Sequence, residues 1–216
     1  KEVKKSEPLF SKKNKKLITD PLNDDNPITV QVLGICSALA ITVQVKQAFV
    51  MSISVLFVLV AGNVIISLLR NTIPSRIRII VQLVIVASLV ILVDQVLKAV
   101  AYDVSKELSV FIGLIITNCI VMGRLEAFAM GNKPFPAFLD GLGNGLGYGA
   151  ILIIVAACRE VFGAGTFLGM QIIPDALYSA GYVNNGVMVT PAAAMFLIGI
   201  IIWIQRSRNP NLVDIS

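Results

Sequence analysis

The sequence predicts an all-α, polytopic membrane fold of six transmembrane helices, arranged as an inverted repeat of 3+3. Three features predict it. Apolar runs recur along the 216 residues, which are 56% hydrophobic and only 14% charged, against about 25% charge in soluble domains. The basic residues crowd onto alternate connections. A short cysteine-bearing stretch occurs twice, once at the head of each half.

A span needs about 20 predominantly apolar residues. The runs at 27–45, 48–69, 77–100, 108–130, 140–162 and 189–206 meet that need. Asn26-Pro27 opens the first and Thr190-Pro191 the last, since proline suits a helix start. The connections at 70–76 and 131–139 carry Pro74, Pro134 and Pro136 and read as loops. Residues 163–188 form the longest connection. Residues 1–25 are charged and lack the apolar core of a signal peptide. They read as a flexible cytoplasmic tail, and 207–216 as a second one. The membrane domain is 26–206, with repeat one at about 26–100 and repeat two at about 108–206.

The net charge of +5 owes much to seven lysines in the first sixteen positions. They read as a cytoplasmic tail and not as a nucleic-acid contact. With that end inside, fourteen basic residues face the cytoplasm and four (Lys46, Lys98, Lys106, Arg159) face out. Both termini are therefore expected to be cytoplasmic. There is no histidine, which removes the commonest metal ligand and proton shuttle. The three cysteines, Cys36, Cys119 and Cys158, form no CxxC pair.

The duplicated stretch is "VLGICSALAITVQVKQAFVM", Val32–Met51, against "IITNCIVMGRLEAFAM", Ile115–Met130. Each carries a mid-segment cysteine and later a charged residue shortly before Ala-Phe. Three spans per half is an odd number, so consecutive halves cross in opposite senses, as in transporters built on inverted repeats. Cys36 then lies roughly 15 Å into the first span and Cys119 roughly 18 Å into the fourth, at 1.5 Å per residue. Both fall near the midplane of a core about 30 Å thick.

Such thiols can pack as small hydrophobes, form a disulfide or bind metal. Two thiolates make half of the four-cysteine set that iron–sulfur clusters normally take. Without histidine, the other ligands must come from another polypeptide, most simply one with the same repeat. A metal site also wants backbone amides facing sulfur, so spans 1 and 4 are expected to be interrupted near the cysteines. Gly34 and Asn118 are the expected neighbours of the ligands.

"DGLGNGLGYGA" places Gly141, Gly145 and Gly149 on one helix face and Gly143 and Gly147 nearly opposite. It lacks the strand–turn–helix setting of a dinucleotide fingerprint. Two smooth faces suit a helix clamped between neighbours. Asp94 and Lys98 are spaced as a surface pair. Arg124, Glu126, Asp140, Arg159 and Glu160 fall near span ends and read as snorkelling anchors.

The runs "VLGICSALA", "LRNTIPSRIRIIVQ", "VDQVLKA", "FIGLIITNCIVMGRLEAFAM" and "DGLGNGLGYG" resemble the NqrD/RnfE-like family, whose members include the D subunit of the bacterial sodium-translocating NADH:quinone oxidoreductase. The resemblance covers about residues 20–206. It implies an inner-membrane component of a six-subunit respiratory translocase. It implies a homologous six-span partner of opposite orientation, the E component of that pump. Cys36 and Cys119 match the family's ligand positions for an intramembrane [2Fe–2S] cluster shared with that partner. Electrons would arrive from a cytoplasmic flavin and iron–sulfur subunit and leave to one carrying covalent FMN, coupled to sodium export. Flavin, NADH and ubiquinone sites would lie on other subunits. The related E component of the Rnf ferredoxin:NAD complex shares both cysteine motifs and is the alternative. An inverted-repeat small-solute permease is a third reading, opposed by the scarcity of deep polar groups.

Overall fold

A computed structural model of the protein describes residues 12–22, 25–74, 76–100, 113–168, 170–171 and 185–208. Most of the expected tails and of the 163–188 connection therefore lies outside the described residues. Helix α1 (Lys12–Thr19) leads into a 3-10 turn at Asp20–Leu22. Asn26 then folds the chain back: its Oδ1 accepts from the Ile28 and Thr29 amides at 3.0 and 3.3 Å. Its Nδ2 donates to the Gly147 carbonyl at 3.2 Å. Helix α2 (Ile35–Ile41) is short, and α3 (Val45–Leu69) and α4 (Arg78–Val100) are long. Residues 113–116 are helical, the chain breaks at Thr117-Asn118, and α5 (Cys119–Arg124) runs into a π-helical turn at Leu125–Ala129. Helix α6 (Pro134–Gly163) has 30 residues. A small antiparallel hairpin pairs β1 (Thr166–Phe167) with β2 (Met170–Gln171). A 3-10 turn at Gly186–Val189 precedes α7 (Pro191–Arg208).

Among the described residues, three helices, α3, α4 and α6, are long and apolar enough to cross a membrane. The runs read as spans 2, 3, 5 and 6 correspond to α3, α4, α6 and α7. The run 27–45 is not one helix but a turn followed by α2, with α3 already starting at Val45. The run 108–130 is likewise broken at Asn118, and its first residues lie outside those described. Pro134 and Pro136, read as loop residues, sit in the first turn of α6. A missing N–H costs nothing there, so proline starts the helix and does not end it.

Helices α3 and α6 run antiparallel and very close. Gly141 lies against Asn63 and Val60, Gly145 against Leu56 and Gly149 against Ser52. The polar side chains of α3 face inward: Asn63 Nδ2 donates to the Ala137 carbonyl at 3.1 Å and Ser67 Oγ to that of Asn132 at 2.6 Å. Its outer face presents Phe49, Ile53, Phe57 and Leu68. Polar inside and apolar outside is the pattern of a helix solvated by lipid. Only 17% of α4's spanning window is buried, against 50% and 56% for α3 and α6, so α4 is the peripheral span of the three.

The second smooth face of α6 holds a different partner. A β-carbon on Gly143 would collide with the backbone of Leu17 and Ile18, and one on Gly147 with that of Pro21. Residues 12–22 were expected to belong to a flexible tail; they form α1 and its turn, laid on α6. Composition hid this because α1 is lysine-rich, and its docking depends on a glycine face more than 120 residues away. Gly143→Val is therefore expected to lift α1 off α6 and speed tryptic cleavage after Lys16 in the solubilised protein. Gly199→Val, where a β-carbon meets nothing within 4 Å, should leave that cleavage unchanged.

Candidate metal centre

Both cysteines sit where a helix begins after a break. Cys36 is the second residue of α2 and Cys119 the first of α5. Gly34 precedes α2 in the left-handed region, φ 82, a conformation that costs other L-residues energy. Asn118 precedes α5 in an extended conformation, and its Oδ1 accepts from the Ile120 amide at 3.3 Å. The expected interruptions of the chain near the two cysteines are thus present in the backbone.

The breaks bring together residues 83 apart in sequence: Cys36 Sγ lies 3.7 Å from Cys119 Sγ. Both thiols are free and exposed on the surface of the chain. A tetrahedral metal with metal–sulfur bonds of about 2.3 Å places any two of its thiolates about 3.8 Å apart. The separation of the two sulfurs therefore fits two thiolate ligands of one tetrahedral metal ion. Among the described residues, no group of three or more metal-ligating side chains is assembled. Cys158, half-buried on α6, belongs to no such pair among the described residues.

Behind the sulfurs lies a buried polar triad. Ser37 Oγ donates to the Gly34 carbonyl at 2.8 Å. Its one proton is thereby used, so the Tyr148 hydroxyl donates to Ser37 Oγ across 2.7 Å. Asn118 Nδ2 donates to the same Ser37 oxygen at 3.3 Å and reaches the Tyr148 oxygen at 3.5 Å. Gly34 also makes room for the tyrosine, because a β-carbon there would lie 2.9 Å from Tyr148 Cε2. Of these residues, Gly34 and Asn118 were singled out from sequence, whereas Ser37 and Tyr148 were not. The available signals were the serine directly after Cys36 and the one hydroxyl-bearing aromatic inside the glycine run.

Two ionic devices hold the broken segments to α6. Arg124, on α5, makes a bidentate ion pair with Asp140: Nη2 meets Oδ1, and Nε donates to Oδ2 at 3.1 Å. Asp140 is 1% exposed and also accepts from Asn144 Nδ2 at 3.1 Å. At the far end of α6, Arg159 is 2% exposed. It donates to Thr42 Oγ1 at 2.6 Å and the Leu39 carbonyl at 3.4 Å, closing the C-terminal end of α2. Its other nitrogens reach the carbonyls of Met188, Val189 and Thr190. Glu160 Oε2 accepts from the Val45 amide at 2.6 Å, at the start of α3. Adjacent residues thus satisfy both backbone ends exposed by the α2–α3 break, favourably with the helix dipoles. The reading of Asp140, Arg159 and Glu160 as snorkelling anchors is corrected: they are buried inside the bundle, with Arg124 half-buried over Asp140, and for Arg159 and Glu160 the reason is that the broken helices supply polar backbone there that needs partners. Glu126 bridges to α4, pairing with Arg78 and accepting from Gln82 Nε2 at 3.0 Å. Lys98 and Asp94 do form the expected pair, at 2.6 Å.

Residues 14–202 match the family model described as "Rnf-Nqr subunit, membrane protein". The chain belongs to the Rnf-Nqr family. Among its curated relatives is the D subunit of the Na(+)-translocating NADH-quinone reductase of Aeromonas hydrophila. It is 56% identical over 200 residues, 93% of this chain and 95% of the relative. The protein of the same name from Aeromonas salmonicida is also 56% identical over 200 residues, with the same coverage. The one from Photobacterium profundum is 54% identical over 204 residues, 94% of this chain and 97% of the relative. The Rnf-Nqr match takes in α1 from Asn14 onward, both cysteine-bearing breaks and the glycine helix.

Proposed function

We propose that the chain is a membrane electron-transfer subunit of a sodium-pumping NADH:ubiquinone oxidoreductase in the bacterial inner membrane. In this reading Cys36 and Cys119 are two ligands of a [2Fe–2S] cluster whose other two ligands come from a homologous six-span partner of opposite orientation. The observation that carries it is the pair of free thiols 3.7 Å apart on an outward face. Once bound, the cluster supplies one-electron redox chemistry. The chain's own contribution is to present two soft donors at tetrahedral spacing and to fill the space behind them with satisfied polar groups. The names of the relatives support the quinone-reducing pump over the Rnf complex.

The six spans in this reading are α3, α4, α6, α7 and two broken ones, residues 26–41 and about 108–130, with both termini cytoplasmic. The cytoplasmic flavin and iron–sulfur subunit and the covalent-FMN subunit are the electron partners, and NADH, flavin and quinone bind to them or to other subunits. The purified complex carrying Cys36→Ala or Cys119→Ala is expected to lose one iron–sulfur EPR signal and the matching iron. Cys158→Ala should keep both. Full retention of iron in the Cys119→Ala complex would overturn the ligand assignment. Substrate uptake by this chain alone in liposomes, without iron, would instead favour a permease.

A further inference from the structure

We propose that Tyr148 is a positioning residue for the metal centre, acting through Ser37 and Asn118 to hold the two cysteines at their working separation. This rests on the reading of Cys36 and Cys119 as ligands. Among the described residues, no backbone–backbone hydrogen bond joins the Gly34–Ile41 stretch to the Ile115–Arg124 stretch. Besides the contact between the two sulfurs themselves, a polar link between the two stretches is made by the two side chains next to the ligands: Ser37 follows Cys36, and Asn118 precedes Cys119. Their hydrogen bond is long, at 3.3 Å, and by itself does not set a distance closely. Tyr148 is the third point. It stands on α6, the helix that its glycines lock against α3 on one side and α1 on the other. Its hydroxyl donates to Ser37 at 2.7 Å, and its ring fills the space that Gly34 leaves. With Ser37's proton used on the Gly34 carbonyl, the serine oxygen has two acceptor positions. Tyr148 and Asn118 fill both. Each side chain is fully buried, so water does not replace a partner that is removed.

Deleting the phenol oxygen therefore removes the hydrogen bond that ties the Cys36 turn to α6, leaving the Arg159 contacts at the other end of α2 and both thiols in place. Cluster properties respond to the hydrogen bonding and surroundings of the sulfurs. The test uses the purified, assembled complex. Tyr148→Phe is expected to keep iron within about twofold of wild type, broaden or shift the EPR spectrum of this cluster, shift its midpoint potential and lose iron to a chelator about tenfold faster. Ser37→Ala should give the same changes, and the double variant should add little to either single one. Should Tyr148→Phe fail to assemble, Ser37→Ala carries the same expectations. A wild-type spectrum, potential and iron-loss rate in these variants overturns the positioning role. Iron retained in Cys36→Ala or Cys119→Ala overturns the ligand reading instead, so the two failures are distinguishable.

Discussion

Replacing Arg124 with methionine is expected to destabilise the membrane domain by about 3–5 kcal/mol, the cost of breaking a buried ion pair from one side. The magnitude follows from what is left behind. Asp140 is 1% exposed, and without the guanidinium its carboxylate keeps, among the described residues, only side-chain amide donors from Asn144 and Asn63. A lone buried carboxylate costs far more than the lost pair contributes. Arg124→Lys should fall between, since an ammonium cannot reproduce the two-pronged contact. Unfolding in detergent mixed with SDS measures this. The double variant Arg124→Met with Asp140→Asn should recover a large part of the loss, because no charge remains unpaired. Simple additivity of the two single effects would show that the pair is not a coupled unit. In the proposed reading the consequence reaches the cluster, because Arg124 lies on α5, the helix that begins with Cys119. Loosening it should weaken iron retention as well as the fold.

Gly34→Ala is the second large effect, expected to cost on the order of 2–5 kcal/mol and most of the iron. Two causes add. The left-handed backbone at φ 82 costs a non-glycine residue roughly 1–2 kcal/mol. The new β-carbon would lie 2.9 Å from Tyr148 Cε2, and such overpacking costs about 1–3 kcal/mol. The tyrosine ring is enclosed and rigid, so it cannot yield without pulling its hydroxyl from Ser37. Gly123→Ala is the contrast. Its β-carbon would meet Leu33 Cδ1 at 3.2 Å, the far end of a flexible chain, and the backbone needs no unusual angle. If Gly34→Ala unfolds no more easily than Gly123→Ala and retains its iron, the close fit around Tyr148 has no energetic weight.

The long apolar helices were legible because lipid leaves a chain little choice. Every backbone group in hydrocarbon must be bonded within the segment, so an uncharged run of about 20 residues reads directly as a helix. The positions of α3, α4, α6 and α7 follow from that rule, with ends displaced by a few residues. The alternating glycines of α6 were legible as two smooth faces because small residues mark close approach. What they approach was not. Helix α1 reads as solvated by composition, and only the collision that a β-carbon would cause on Gly143 shows that it docks.

Sequence by itself determined the membrane class, the run of apolar helices, the two breaks near Cys36 and Cys119, and the suspicion that those thiols belong together. Hydrophobic length marks the spans, and the duplicated motif, with the backbone amides that a metal site wants near sulfur, points to the breaks and to the pairing of the thiols. Tertiary structure alone decided that the two sulfurs stand 3.7 Å apart, that Tyr148 completes the support behind them, and that Arg124 pairs with a buried Asp140 and Arg159 is itself buried, neither being a surface anchor. Those facts depend on which faces meet across 83 and 111 residues of chain. No local preference encodes such a meeting; it arises when closely packed helices leave polar groups no water and oblige them to find each other.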